Sequence, residues 1–578
     1  MKRDKRRRAR GRKTTRRTTP RRPRAAGDRA AAEYVAQGDG SADSSVAAVL
    51  QQAFAAHQAG NLQKAVRLYH RVLEMQPSHA DALNLCGVAT FQAGDADSAV
   101  KMLRAVVGLQ PDHVDALNNL GNVLRASEKL DEAEAAYRRA LTIRPDYADA
   151  HYNLGVVLEA KARPDAAEAA YRRALDISPA FAGAHFNLAN VLKVLGRLDE
   201  AVDAYGRALD ITPDHADAHN NLGNTLYELG RLDEAEAAYR CALVFKPDHA
   251  DAHYNLGIVL QEAGRHDDAI AAYRRALRVE PEYGPVYVNM GYALQELDRL
   301  DEAKAAYRRA IAITPDYVQA HVNLADTQLQ MGDARAAVAA CDAYLRGHPG
   351  DTGVLAFKAL ALDEAGEREA ARTLVDFDRF IRATPLRAPA GFDTMADFNT
   401  ALARHVCTHP TLVHAPTSHA TRLGKHSGEL LVEPKGPIAA LERLIQDAVE
   451  DYRRALPANP AHPFLADPPE RLGLSIWAVV LEGHGHQIPH IHPSAWLSGV
   501  YYAKVPDAVR ASGQGRAGWI EFGRPPEHFH CTVAPEVKAF RPEEGLLLLF
   551  PSYFYHGTVP FEAAEPRISI AFDVLAED

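Results

Sequence analysis

"ADAHYNLGVVLEAKARPDAAEAAYRRALDISP" fills Ala148–Pro179, and "ADAHYNLGIVLQEAGRHDDAIAAYRRALRVEP" fills Ala250–Pro281. The two are near copies, and the same skeleton returns every 34 residues. Small residues mark the beat at Ala53, Cys86-Gly87, Gly121, Gly155, Ala189, Gly223, Gly257, Gly291, Ala325 and Ala359. Sixteen residues after most of them stands a tyrosine: Tyr69, Tyr137, Tyr171, Tyr205, Tyr239, Tyr273, Tyr307. A proline closes each unit, from Pro77 through Pro145, Pro179 and Pro247 to Pro349. Within one unit Leu154, Leu158, Ala167, Tyr171 and Ala174 fall at spacings of three or four along two helices, one apolar stripe on each. The small residues let the paired helices approach, and the proline stops the second. One hairpin cannot bury its stripe alone, so the spacing predicts stacked hairpins in a solenoid.

This pattern resembles the tetratricopeptide repeat family over about Ser45–Thr384, in about ten helix hairpins. The first and last units, and the one at 79–112, drift from the rest as capping repeats do. Asparagine recurs two residues before the small position, at Asn119, Asn153, Asn187, Asn221, Asn255, Asn289 and Asn323. Asparagine is a mediocre helix former, so its recurrence needs a cause. In the similar repeats of O-GlcNAc transferases such asparagines line the inner surface and hold an extended peptide. The resemblance implies the same for this ladder, since a carboxamide offers a donor and an acceptor. Hydrogen bonding inside the array is the competing reading. A second series, His151, His185, His219, His253 and His321, is expected to be polar packing between helices rather than metal ligation.

Composition narrows the rest. A length of 578 residues calls for several domains or an array. Residues 1–24 carry a net +13, leaving −22 for the rest of a chain whose total is −9. This basic head reads as a disordered tail, and any nucleic-acid contact would run through it alone. No apolar stretch is long enough to cross a bilayer, so no membrane partner is expected. The five cysteines are scattered, which speaks against a disulfide framework and for a cytoplasmic location.

After Thr384 the period of 34 stops. "PLRAPAGFDTMADFN" (Pro385–Asn399) reads as a linker, with helices expected near 395–406 and 436–455. The periodicity then becomes two, predicting strands at 474–482, 496–504, 517–523, 537–540, 545–550, 556–561 and 567–574. Short strands between Gly and Pro turns suggest a sandwich or jelly roll.

Histidines gather here. If "PHIHPSAWLSGVYY" (Pro489–Tyr502) is extended, His490 and His492 point to one face and can reach one ion. His556 opens a later strand, and on "RISIAF" Arg567 and Ser569 share a face opposite Ile568, Ile570 and Phe572. A buried arginine is expensive unless an anion meets it. His484, His486, His528 and His530 are runners-up as ligands, and Trp496, Tyr501, Tyr502 and Trp519 read chiefly as core.

The order His-x-His, His, Arg-x-Ser resembles the 2-oxoglutarate/Fe(II) oxygenases over about 390–578, in the bacterial branch often found behind tetratricopeptide arrays. The resemblance implies a double-stranded β-helix (jelly roll) with flanking helices. His490 and His556 match the iron-binding histidines, and Arg567, with Ser569 beside it, matches the residue for the distal carboxylate of 2-oxoglutarate. Fe(II), 2-oxoglutarate and O2 would serve hydroxylation of a C–H bond. The chain departs from the family at His492, which stands where the carboxylate of the two-histidine facial triad belongs. Either His492 binds the iron, or a water does and His492 flanks it.

The expected organisation is therefore α plus all-β: a basic tail over 1–44, a repeat solenoid over 45–384, and an oxygenase-like domain over 385–578 with its strand core at about 473–575. The expected activity is a dioxygenase acting on a protein or peptide held by the repeats. A non-enzymatic scaffold and a cupin-like metal enzyme independent of 2-oxoglutarate are the alternatives.

Overall fold

The computed structural model describes residues 43–577 except 416–419, 457, 461, 467 and 511–514. The basic head lies outside the described residues. The chain forms two compact units that meet in sequence at Pro281 and Glu282.

The first unit holds seven helix hairpins, from Asp43–Gln58 with Leu62–Met75 to Ala250–Glu262 with His266–Val279. The repeat tyrosines are sealed from solvent, and at four of them a glycine faces the ring, where Tyr69 and Tyr205 have Ala53 and Ala189 at the small position instead. A Cβ built on Gly121, Gly155, Gly223 or Gly257 would lie 2.3–2.6 Å from a ring carbon of Tyr137, Tyr171, Tyr239 or Tyr273. Glycine inside a helix costs about 0.5–1 kcal/mol, and here that cost makes room for a buried ring. The second helix of each unit ends two residues before its proline, as at Ile143 and Ile177 before Pro145 and Pro179.

The histidine series has the packing role expected of it. His151, His185, His219 and His253 each place Nε2 2.9 Å from the carbonyl of the proline six residues earlier. The bond ties the start of one hairpin to the end of the one before. The carbonyl has only lone pairs to offer, so Nε2 donates.

The second unit begins with three more hairpins, opening at Gly284–Glu296, Val318–Gln330 and Thr352–Glu364. Gly291 and Tyr307 repeat the glycine–ring contact, and His321 repeats the bond to Pro315. Two antiparallel sheets follow, as expected of a jelly roll. The larger has the order β1-β8-β5-β10-β4-β3-β2 and the smaller β7-β6-β9. The strands are β1 Arg382–Pro385, β2 Val413–His414, β3 Thr421–His426, β4 Leu472–Gln487, β5 Leu497–Lys504, β6 Ile520–Phe522, β7 Lys538–Phe540, β8 Leu546–Pro551, β9 His556–Thr558 and β10 Ala563–Ala576.

All seven expected strands are present. Three further strands, the edge strands β1 and β2 and the adjacent β3, were not expected. Pro385, read as the start of a linker, instead ends β1, which pairs with β8. The expected helices run over Met395–Cys407 and Ile438–Ala455. A capping box between Thr394 and Asp397 starts the first, so the link shrinks to 386–394. β1 itself, "RATP", is short and mostly exposed and carries no apolar alternation, which is why the pattern missed it.

Candidate metal centre

β10 is buried by both sheet neighbours and alternates strictly. Ile568, Ile570, Phe572 and Val574 share one face, at most 2% exposed. Arg567, Ser569, Ala571 and Asp573 share the other. Register places Leu481, Val479 and Trp477 of β4, and Tyr502, Val500 and Ser498 of β5, beside them on that face.

The three histidines are set above its Asp573 end. His490 and His556 exchange backbone hydrogen bonds, both 3.0 Å, in an isolated bridge between the loop after β4 and the start of β9. His492 N–H donates to the Ser552 carbonyl at 3.0 Å. One ring nitrogen from each of His490, His492 and His556 lies within 4.8 Å of the others, the one such group among the described residues.

The other ring nitrogens fix the tautomers. His490 Nδ1 lies 2.8 Å from the Ile488 carbonyl, and His556 Nδ1 3.0 Å from the Phe554 carbonyl. His492 Nδ1 lies 2.6 Å from Asp573 Oδ1. Each acceptor demands that Nδ1 carry the hydrogen, which leaves three Nε2 lone pairs to converge. Burial, and then the neighbouring His492, bring the His490 imidazole down to about 3. Burial drives His556 well below the usual histidine range, with its two histidine neighbours adding to the effect. Imidazoles that resist protonation are ready for a cation.

Arg567, 1% exposed, stacks its guanidinium 5.0 Å from the Tyr502 ring centre. Its Nη1 donates to the Gly518 carbonyl at 2.7 Å, and no carboxylate pairs with it among the described residues. Its Nε and the Tyr502 hydroxyl, both buried, have no hydrogen-bond partner there either. A buried guanidinium so placed suits an incoming carboxylate. Ser569, 2% exposed, donates to the Val479 carbonyl at 3.3 Å.

The remaining candidates lie elsewhere. His484 is exposed, 3.8 Å from Glu562, and His486 meets the His484 carbonyl. His528 lies tilted against the Phe529 ring, and His530 faces Asp326. Tyr501 turns to the opposite face and donates to Asn399 at 2.5 Å, while Trp496 stacks on Phe464. Tyr502 alone of the four aromatics reaches Arg567. Trp519 is half-buried just before β6. Asp573 and Ser498 were missed in the sequence. The signal for Asp573 was its parity with Arg567 and Ser569.

In the ladder, five carboxamide nitrogens are turned toward the preceding repeat. Asn119, Asn153 and Asn255 donate to Asn84, Asn118 and Asn220 of the preceding repeat, each at 3.0 Å. Asn187 donates to Tyr152 at 3.2 Å and Asn221 to Asn190 at 3.2 Å. Asn323 accepts from Gln319 at 2.5 Å, and Asn289 is also partnered.

Family models match along the same layout. Tetratricopeptide repeat models cover 56–120 and 121–161, and the C-terminal domain model of cilia and flagella-associated protein 70 covers 146–360. The model described as "Putative 2OG-Fe(II) oxygenase" covers 475–573, the stretch that holds all three histidines and Arg567. The chain joins tetratricopeptide repeats to a 2OG-Fe(II) oxygenase domain. Among curated proteins none matches. Similar solved structures include YrrB, titled a TPR protein with an unusual peptide-binding site, at 23% identity over 32% of this chain and 96% of that one, TM-score 0.30. MamA is 27% identical over 28% of this chain and 96% of its own, TM-score 0.27.

The oxygenase family implies Fe(II) and 2-oxoglutarate, and the residues present fit both. Three convergent imidazoles suit a divalent metal, and the unpaired Arg567 suits a dicarboxylate.

Proposed function

We propose that this chain is an Fe(II)- and 2-oxoglutarate-dependent dioxygenase that hydroxylates a side chain of a protein or peptide held by its repeats. The observation that carries the reading is the pairing of three Nε2 lone pairs with a buried guanidinium that lacks an anion. His490, His492 and His556 would hold the iron. Arg567 would take the distal carboxylate of 2-oxoglutarate with its two-pronged donors, and Ser569 flanks it on the strand. Bound together, iron and 2-oxoglutarate supply activated oxygen for C–H hydroxylation, with release of CO2 and succinate.

The repeats would supply the substrate. With the nitrogens of Asn119, Asn153, Asn187 and Asn255 committed to the preceding repeat, these four present carboxamide oxygens, which suit peptide N–H groups. In the second unit the ladder side already meets backbone N–H groups. Glu364 accepts from Thr532 N at 2.5 Å and Val533 N at 2.7 Å, and Asp326 from His530 N at 3.3 Å. Phe357, at the ladder register of the last repeat, packs on Phe529 with ring centres 4.9 Å apart.

Anaerobic titration with Fe(II) and 2-oxoglutarate tests the reading. A metal-to-ligand charge-transfer band and succinate formation on admitting oxygen are expected. Absence of both would leave a scaffold with a degenerate sheet domain.

A further inference from the structure

The carboxylate absent from position 492 is present nearby. Asp573 Oδ1 lies 2.6 Å from His492 Nδ1, and the same oxygen accepts from Ser498 Oγ at 2.6 Å. His490 and His556 direct their Nδ1 atoms to neutral carbonyls, so His492 alone of the three is tied to a charge. The pair is largely screened, with side chains 13% and 17% exposed, and among the described residues Asp573 has no other basic partner. Asp573 also stands on β10, in register with Ser498 of β5 and Ser475 of β4, so strand pairing on both sides fixes its position.

Resting on the metal reading above, we infer that Asp573 is a positioning residue for His492 and returns to the site, through that imidazole, the negative charge that a directly bound carboxylate supplies in a two-histidine, one-carboxylate triad. An imidazole that donates Nδ1–H to a carboxylate is held in one orientation, keeps its Nε2 lone pair free, and is a more basic ligand than one donating to a carbonyl. Ser498 holds the carboxylate oxygen from the other side, which stops it from turning away. His492 is then a ligand, rather than a bystander beside a bound water.

The test uses the full chain and Co(II) as the probe, read by titration of its visible absorption bands. Asp573→Leu, which cannot accept Nδ1–H, is expected to weaken Co(II) binding about 10–100-fold. Asp573→Asn keeps an accepting oxygen without the charge, and should weaken it less. In a His492→Ala background, Asp573→Leu should add nothing, because the residue acts only through that ring. Melting of the metal-free variants separates this effect from a fold defect, and Asp573→Asn remains readable if the leucine variant unfolds. Wild-type affinity in both Asp573 variants overturns the inference and leaves the metal reading standing. So does an equal loss from Asp573→Leu with and without His492. A wild-type chain that binds no Co(II) sinks both together.

Discussion

Arg567 is the most telling single residue, because it is charged, buried and has no carboxylate partner among the described residues. Arg567→Met is expected to abolish 2-oxoglutarate binding by Fe(II)-loaded protein, read as loss of the charge-transfer band. Arg567→Lys should fail nearly as badly, since one ammonium cannot reproduce a two-pronged contact. The melting temperature of the metal-free Met variant should hold or rise, because the substitution removes an uncompensated buried charge. His490 and His556 give a pH signature. Their folded-state values are depressed, His490 to about 3, so below about 6.5 the unfolded chain binds more protons than the folded one. Their contribution to stability is therefore complete above that pH and shrinks as pH falls through it toward 3. Thermal melts of metal-free protein from pH 7.5 to 4 should show this decline, and His490→Asn should flatten part of it. His490, His556 and Arg567 were legible from residue type and order alone. Asp573 was not, because a lone acid near the end of "RISIAFDV" reads as a solvated strand end until the fold lays His492 over it.

At the scale of the element, two glycines in one array should respond oppositely to the same change. Gly257→Ala would put a Cβ 2.3 Å from Tyr273 Cε1 and should cost about 1–3 kcal/mol. Gly206, inside the helix Leu198–Ile211, has nothing within 4 Å of a built Cβ. Gly206→Ala should stabilise by about 0.5–1 kcal/mol through helix propensity. Urea denaturation of the two variants measures the contrast. Their difference was readable from the period, since Gly257 has a tyrosine sixteen residues on and Gly206 stands off the beat. The strands divide in a similar way. β4, β5, β8 and β10 announce themselves because burial forces apolar runs or strict alternation. β1 is four mostly exposed residues, β2 only two, and β3, "TRLGKH", is polar with a glycine. Strands at a sheet's edge, β1 and β2, and beside it, β3, owe their place to a partner's free hydrogen bonds, which no local pattern records.

Across the molecule, the second unit packs its last hairpins and its sheets into one body. Thr352 Oγ donates to the Pro493 carbonyl at 2.8 Å, one residue beyond His492. The segment between β6 and β7 meets Asp326 and Glu364, and Arg372 pairs with Glu536 at 3.1 Å. Glu364→Ala would strip acceptors from Thr532 and Val533. Faster amide exchange over 526–536, with exchange in β10 unchanged, is the expected result. The break at Pro281 was not legible, because the 34-residue rhythm runs through it unaltered. In the first unit, the bond from each histidine to its proline closes over six residues, whereas the asparagine contacts reach one repeat back. A 34-residue block cut at equivalent positions thus carries its own bond and presents the same two mating surfaces as its neighbours. Such a stretch can change its copy number by duplication or loss without stranding a polar group, so array length can drift among descendants while each copy keeps its internal form.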